Sequence, residues 1–281
     1  MSESIRVLRL VGDIAVFACC GVPLIIIELF AKPYKRGFYC DDESIRYPYL
    51  KDTVSTAVLG AGGIAIGLVT IIATEVIRLI LERNYTDEFL SYRLCCCEIH
   101  RIFVRLYCFI GYFLLGFIFE QLLVDIGKYT IGRHRPHFMD VCRPDIGYDT
   151  CTSPEQYVTN FTCTGDDQHL IKESKLSFFS GHSAFSFYVA WFCSLYLRAR
   201  FYRPVFSRLF VPAIQFLLLG LAGWVALTRV SDYKHHWSDV LVGTIIGSVV
   251  GILMALHVAE VFDRREVPSS YSPRKFGVVS V

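Results

Sequence analysis

The feature that most constrains this chain is a set of long stretches without a formal charge. Thr53–Thr74, Leu209–Thr228 and Val240–Ala259 contain no Asp, Glu, Lys or Arg. A helix rises about 1.5 Å per residue, so about 20 apolar residues cross the hydrocarbon of a bilayer. A helix on the surface of a soluble protein keeps a polar face toward water, and these stretches have no charged face to offer. Three more blocks reach the same length with isolated interruptions: Leu10–Phe30 holds Asp13 and Glu28, Leu106–Val124 holds Glu120, and Leu176–Leu197 holds His182. Intramembrane acids usually face a bundle interior. The expected fold is therefore all-α, a polytopic membrane protein with six transmembrane helices.

Composition agrees with that reading. Hydrophobic residues make up 53% of the 281 positions and charged residues 19%, against about 25% charged in soluble domains. A net charge of +2 supplies no basic excess for a polyanion, so no nucleic-acid partner is expected. The first apolar block runs into Glu28 and Lys32-Pro33-Tyr34-Lys35-Arg36 without a small-residue cleavage pattern, so it reads as a retained helix, not a signal peptide. Residues 1–262 form one expected domain, with a long exoplasmic loop at about 128–180 and a cytoplasmic tail at 263–281.

An even number of spans puts both termini on one side. Lys and Arg are balanced between the two sides, so charge does not orient the chain. The sequon Asn160-Phe161-Thr162 lies in the long loop beside Cys142, Cys151 and Cys163, and Cys40 lies in the other loop of that side. A glycosylation acceptor and disulfide-capable cysteines belong to an oxidising compartment. This places that loop outside and both termini in the cytoplasm, with the plasma membrane favoured over internal membranes. The four cysteines allow up to two disulfides, in a pairing left open. Asn84-Tyr85-Thr86 falls on the opposite side, where it would be unused. Cys19, Cys20, Cys108 and Cys193 read as buried apolar residues. Cys95-Cys96-Cys97 could be acylated, although plain thiols are the simpler reading.

Parity has a further consequence. The end of the third span carries Lys128 to His137, the start of the fourth Ser177 to Ser183, and the connection between fifth and sixth Thr228 to Asp239. All three must share one membrane face. Lys128, Arg135 and Arg229 would supply fixed positive charge, with arginine forks suited to phosphate oxygens. Ser180 and Gly181 stand where a helix begins, so free amides and the positive end of the dipole face the same anion. His235 and Asp239 are four apart, a spacing that would let a carboxylate orient an imidazole on one helical face. His235 then suits a nucleophile and His182 a proton donor. His100, His169 and His257 read as structural, and His134, His137 and His236 have no assigned task. Other phosphoryl machinery is missing: there is no Walker loop, no Asp-x-Asp pair and no compact zinc-ligand set. Cys40 and Arg46 have thiol-phosphatase spacing, but Asp41-Asp42-Glu43 between them would repel phosphate.

Lys128-x6-Arg135-Pro136, Ser180-Gly181-His182 and Arg229-x5-His235-x3-Asp239 resemble the three-part signature of the type 2 phosphatidic acid phosphatase superfamily. The stretches Lys32–Cys40 and Arg229–Trp237 resemble its animal lipid phosphate phosphatases, and the similarity runs from about residue 10 to residue 262. The resemblance implies a metal-independent, cofactor-free phosphomonoesterase with an extracellular or lumenal site. Its implied substrates are phosphatidate, lysophosphatidate, sphingosine 1-phosphate and ceramide 1-phosphate. It implies that His235 becomes phosphohistidine, Asp239 orients it and His182 protonates the leaving alcohol. Lys128, Arg135, Ser180, Gly181 and Arg229 would bind the phosphate. Phe179 and Thr228 depart from the commoner Pro and Ser, removing no charged or nucleophilic group. Implied partners are phospholipid and sphingolipid phosphates and the bilayer, with a homo-oligomer left open. A phosphatase of soluble esters and a non-catalytic lipid receptor or scaffold remain the alternatives.

Overall fold

The computed structural model describes residues 3–5, 7–82, 91–94, 97–146, 150–201 and 207–262. The expected tail 263–281, the sequon at Asn84, and Cys95 and Cys96 lie outside the described residues. Among the described residues eight α-helices follow in order: α1 Val7–Phe30, α2 Thr56–Glu82, α3 Arg101–Ile131, α4 Phe138–Cys142, α5 Gln168–Glu173, α6 Gly181–Arg200, α7 Phe210–Ser231 and α8 Trp237–Leu253. A π-helical turn, Met254–Val258, prolongs α8. Short strands pair at both ends of the bundle. Glu3–Ile5 (β1), Ser91–Leu94 (β3) and Cys97–His100 (β4) form one sheet, and Phe38–Tyr39 (β2) pairs antiparallel with Tyr157–Val158 (β5).

Each of the six apolar blocks falls on one of the six long helices, yet only five of these are apolar enough to cross a membrane by length and composition: α1, α2, α3, α7 and α8. The difference at α6 has a physical reason. This helix packs against α2, α3, α7 and α8, so protein replaces lipid as its surroundings. It can then carry buried Ser183 and Ser194 and end in Arg198 and Arg200. Tyr188, Phe192 and Tyr196 of α6 meet Ile71, Phe109 and Phe113 in the main core. The outer surface is apolar instead: Leu8 and Phe30 of α1, Val69 of α2, Phe103 of α3, and Phe216 and Leu217 of α7 are all exposed. A surface of that kind requires an apolar solvent.

A glycine seam joins α6 to α8. Gly243, Gly247 and Gly251 recur every fourth residue and so share one face. A Cβ at Gly243 would lie 2.5 Å from the Ser180 carbonyl oxygen and one at Gly251 2.8 Å from that of Tyr188, while one at Gly247 would overlap the Ala184 carbonyl. Small residues let helix backbones approach in this way. At the top of the seam the Ser180 N–H donates to the Asp239 carbonyl at 3.1 Å. Two motifs distant in sequence are thereby locked together.

Helix α1 sits at the edge, against α3, and buries none of its residues. Its two acids turn toward α3: Tyr107 donates to Asp13 at 3.1 Å and Tyr129 to Glu28 at 3.4 Å. The expectation that Cys19 is buried is corrected by this placement. Cys19 is exposed and Cys20 half-buried, whereas Cys108 and Cys193 are buried as expected. Disulfides Cys40–Cys151 and Cys142–Cys163 resolve the open pairing. They surround Phe38, Phe138 and Phe161, and Cys40–Cys151 ties the α1–α2 connection to the long α4–α5 loop.

Candidate active site

Four helix ends converge at one end of the bundle. The end of α3, the start of α6, the end of α7 and the loop before α8 line a cavity of ≈ 480 Å³ together with the start of α2. Lys128, Arg135, Gly181, His182, Arg229 and His235 all border it. Helix α3 stops at Gly132, whose φ of 57° is left-handed, a conformation natural to glycine. A Cβ there would also strike the Tyr34 carbonyl. This turn releases Arg133 and Arg135 from the helix axis toward the site.

Ser180 caps α6, accepting from the Ser183 N–H at 3.4 Å. The first-turn amides of Gly181 and His182 have no carbonyl four residues earlier to bond within the helix. At Gly181 a Cβ would stand 3.2 Å from Val124 and 4.0 Å from Lys128 Nζ, so the bare backbone leaves space beside a cation. Arg135 pairs with Glu173 at 2.7 Å, and its Nε is buried with no hydrogen-bond partner among the described residues. Arg229 is buried and forked between Asp52 (2.7 Å) and Asp232 (2.8 Å). Lys128 forms no ion pair among the described residues. The cradle thus keeps donors in reserve.

His235 is buried, and its Nδ1 lies 2.7 Å from the Ser177 carbonyl. A carbonyl can only accept, so Nδ1 carries the proton and Nε2 keeps its lone pair. Burial pushes this imidazole well below its ordinary pKa; Arg135, Lys128 and His182 act in the same direction and the Ser177 carbonyl against it. The outcome is a neutral imidazole in a cationic pocket. His182 is anchored by Nε2 on the Val54 carbonyl at 3.1 Å, leaving Nδ1 as its other functional nitrogen.

Asp239 does not contact His235 as the i, i+4 argument expected. Helix α8 begins at Trp237, so His235 precedes it and the two residues do not share a helical face. The Asp239 carboxylate instead accepts from Arg133 at 2.5 Å, Ser177 Oγ at 2.6 Å and the His236 N–H at 3.3 Å. Ser177 therefore links the two: its hydroxyl holds Asp239 while its carbonyl holds His235.

Several participants escaped the sequence reading. Arg133 and Ser177 lay inside the polar clusters already noted, but only their contacts show what they do. Asp52 and Glu173, the carboxylates on Arg229 and Arg135, carried no signal. His137, earlier without a task, lines the cavity with Nδ1 2.8 Å from the Tyr233 carbonyl, and burial drops its pKa to about 4. His169, read as structural, also borders the cavity. His100 is structural as expected, capping α3 by accepting from Ile102 N at 3.3 Å. Buried His134 stacks on Phe138 at 3.9 Å, and His236 lies 3.0 Å from the His134 carbonyl.

Fold and site together define a helical protein with a lipid-facing exterior that presents an anion cradle to a histidine pair. The PAP2 superfamily model matches residues 109–263. The chain is 41% identical to phospholipid phosphatase 1 of Rattus norvegicus, over 95% of this chain and 90% of the relative. It is 38% identical to a putative phosphatidate phosphatase of Drosophila melanogaster, over 94% and 72%, and 40% identical to phospholipid phosphatase 2 of Rattus norvegicus, over 90% and 87%. No solved structure matches it significantly. The chain belongs to the PAP2 superfamily, among its lipid phosphate phosphatases, and is a phosphatase.

Proposed function

We propose that the protein hydrolyses lipid phosphomonoesters, of the phosphatidate, lysophosphatidate, sphingosine 1-phosphate and ceramide 1-phosphate class, through a phosphohistidine and without a metal. The observation that carries this reading is the junction of two cavities. The cationic one adjoins an apolar cleft of ≈ 310 Å³ between α2, α6 and α7, and Leu59 and Phe185 line both. A headgroup phosphate and an acyl chain require such neighbours.

The His235 Nε2 lone pair attacks phosphorus, forming an N–P bond as the ester P–O bond breaks. His182, as an imidazolium whose Nε2–H stays on the Val54 carbonyl, gives its Nδ1 proton to the departing alkoxide. Charge on the equatorial oxygens meets Lys128, Arg135, Arg229 and the α6 amides, so preorganised donors supply what a metal would otherwise provide. The phosphorylated imidazole carries a positive charge, which the Ser177 carbonyl stabilises through Nδ1–H. Water then attacks phosphorus, His182 takes its proton, the N–P bond breaks, and inorganic phosphate leaves. Asp239, held by Arg133, positions Ser177 and through it His235.

The remaining features follow the same reading. α6 serves as the fourth of six spans, and the disulfide-tied loops face the exterior or lumen with both termini cytoplasmic. Asn160, exposed in that layer, carries a glycan, and the plasma membrane is the favoured location. The test is phosphate release from dispersed phosphatidate in EDTA by the intact protein, His235→Ala and Arg135→Ala, with glycerol 3-phosphate as the soluble ester. Lipid turnover that both substitutions abolish is expected. Undiminished turnover in folded variants would overturn the site, and faster hydrolysis of the soluble ester would overturn the lipid assignment.

A further inference from the structure

A second cavity, of ≈ 630 Å³, lies on the far side of α5 from the catalytic one. Helical periodicity separates the two. His169, Leu170 and Glu173 face the catalytic cavity, while Gln168, Ile171 and Lys172 face the other. The second cavity is lined by five cations, Lys32, Lys35, Arg36, Lys172 and Lys175, and by a single acid, Asp145. Asp145 is occupied by the backbone, accepting from Ile146 N at 2.9 Å and Thr162 N at 2.7 Å. None of the five cations forms an ion pair among the described residues. Burial, and then Lys35, push the Lys175 ammonium below its ordinary pKa. Lys172 is instead raised by its contact with Tyr129 and by Glu28 and Glu173, so the like-charge effect falls on the Lys35 and Lys175 side of the cleft.

Position identifies the anion's source. Lys32 follows Phe30, the exposed last residue of α1, by two positions, and Lys172 Nζ donates to the Glu28 carbonyl at 3.5 Å. The cleft therefore opens where the apolar face of α1 ends. Exposed Tyr34 stands beside it, and tyrosine favours the headgroup level. A lipid whose chains ran along α1 would bring its phosphate to this depth, within reach of these cations.

We propose that this cleft is an accessory site for the phosphate of an anionic phospholipid, separate from the catalytic cavity. It rests on the membrane reading above, so its test must not depend on turnover. Phosphatidylglycerol, a phosphodiester that a phosphomonoesterase does not cleave, is the probe. Its retention is followed by native mass spectrometry in non-ionic detergent, with glycans trimmed because Asn160 also lines the cleft. The intact protein and His235→Ala are expected to retain one phosphatidylglycerol each in preference to phosphatidylcholine. K32Q/R36Q and K172Q/K175Q should each reduce retention at least fivefold, and K172R/K175R should restore it. Equal retention by the Gln variants and the intact protein would overturn the site. Competition by an equal concentration of water-soluble glycerophosphoglycerol would overturn the lipid source in favour of a free phosphate anion. Lack of retention by an active enzyme would sink the accessory site alone, and retention without turnover would sink the catalytic reading alone.

Discussion

Two clusters of arginine and carboxylate stand at opposite ends of the bundle and behave differently. At one end, Glu75 of α2 accepts from Tyr196 and Arg200, each at 2.7 Å, and from Arg105 at 3.4 Å. That cluster is closed: the side chains of Glu75, Arg105 and Arg200 are 0%, 1% and 4% exposed. At the other end, Arg135 and Arg229 meet Glu173 and Asp52, whose side chains are 36% and 37% exposed at the rim of a cavity. The same chemistry serves structure where the partners are sealed together. It serves binding where the acids lie at a cavity rim and face water. A substrate phosphate can share or replace a rim carboxylate, but nothing can reach Glu75.

The largest expected effect breaks the open end. His235→Ala should cut turnover by about 10³-fold or more, since removing a nucleophile removes the covalent route, while circular dichroism stays native. Next comes the closed end. Glu75→Ala leaves buried arginines without their acid and should destabilise the fold by about 3–5 kcal/mol, read as a lower unfolding temperature in detergent. Turnover per folded molecule should stay within twofold, and a large activity loss at unchanged stability would erase the contrast.

Arg133→Ala tests positioning at the open end. Freed from Arg133, Asp239 no longer braces Ser177 against His235, and a misplaced nucleophile costs about 10²-fold in kcat with KM little changed. Arg133→Lys should recover part of the loss, which a purely structural role would not predict.

Acid should also discriminate. His134 and His137 are held at about 3 and 4 by burial, and His235 is lowered too. In the unfolded chain these groups protonate near 6.5, so below that pH the unfolded state binds more protons and stability falls. The loss should begin below about pH 6.5 and continue toward pH 4 and then 3, seen as a steadily falling unfolding temperature. The smallest effect belongs to Glu173→Gln. This half-exposed, solvent-screened pair should contribute under about 1 kcal/mol to stability. Freeing Arg135 should lower KM about threefold, consistent with a weak competing acid.

Much of this molecule is legible in one dimension, and the misses share a cause. All six apolar blocks became helices because periodicity and length are local properties. The charged signature gathers round one cavity because its three parts lie at the ends of successive long helices. His235 and Asp239 were misjudged because a four-residue spacing was taken for a helical one, whereas the chain turns between them and α8 starts at Trp237. Asp52 and Glu173 are separated by 177 and 38 residues from the arginines they hold, and no spacing rule reaches that far. The glycine seam at 243, 247 and 251 was visible as a pattern, but its partner helix was not.

The sequence by itself determined the solvent of the protein, the number of long helices, and which cations and histidines would share a face. Hydrophobic length and motif order are enough for those conclusions. Tertiary structure alone decided which groups touch: Ser177 between Asp239 and His235, the two disulfide pairings, and the division of α5 between two cavities. Contacts across tens to hundreds of residues depend on how helices pack. Here that packing is set by the backbone approach of α6 and α8 along a seam with no side chains to hold them apart.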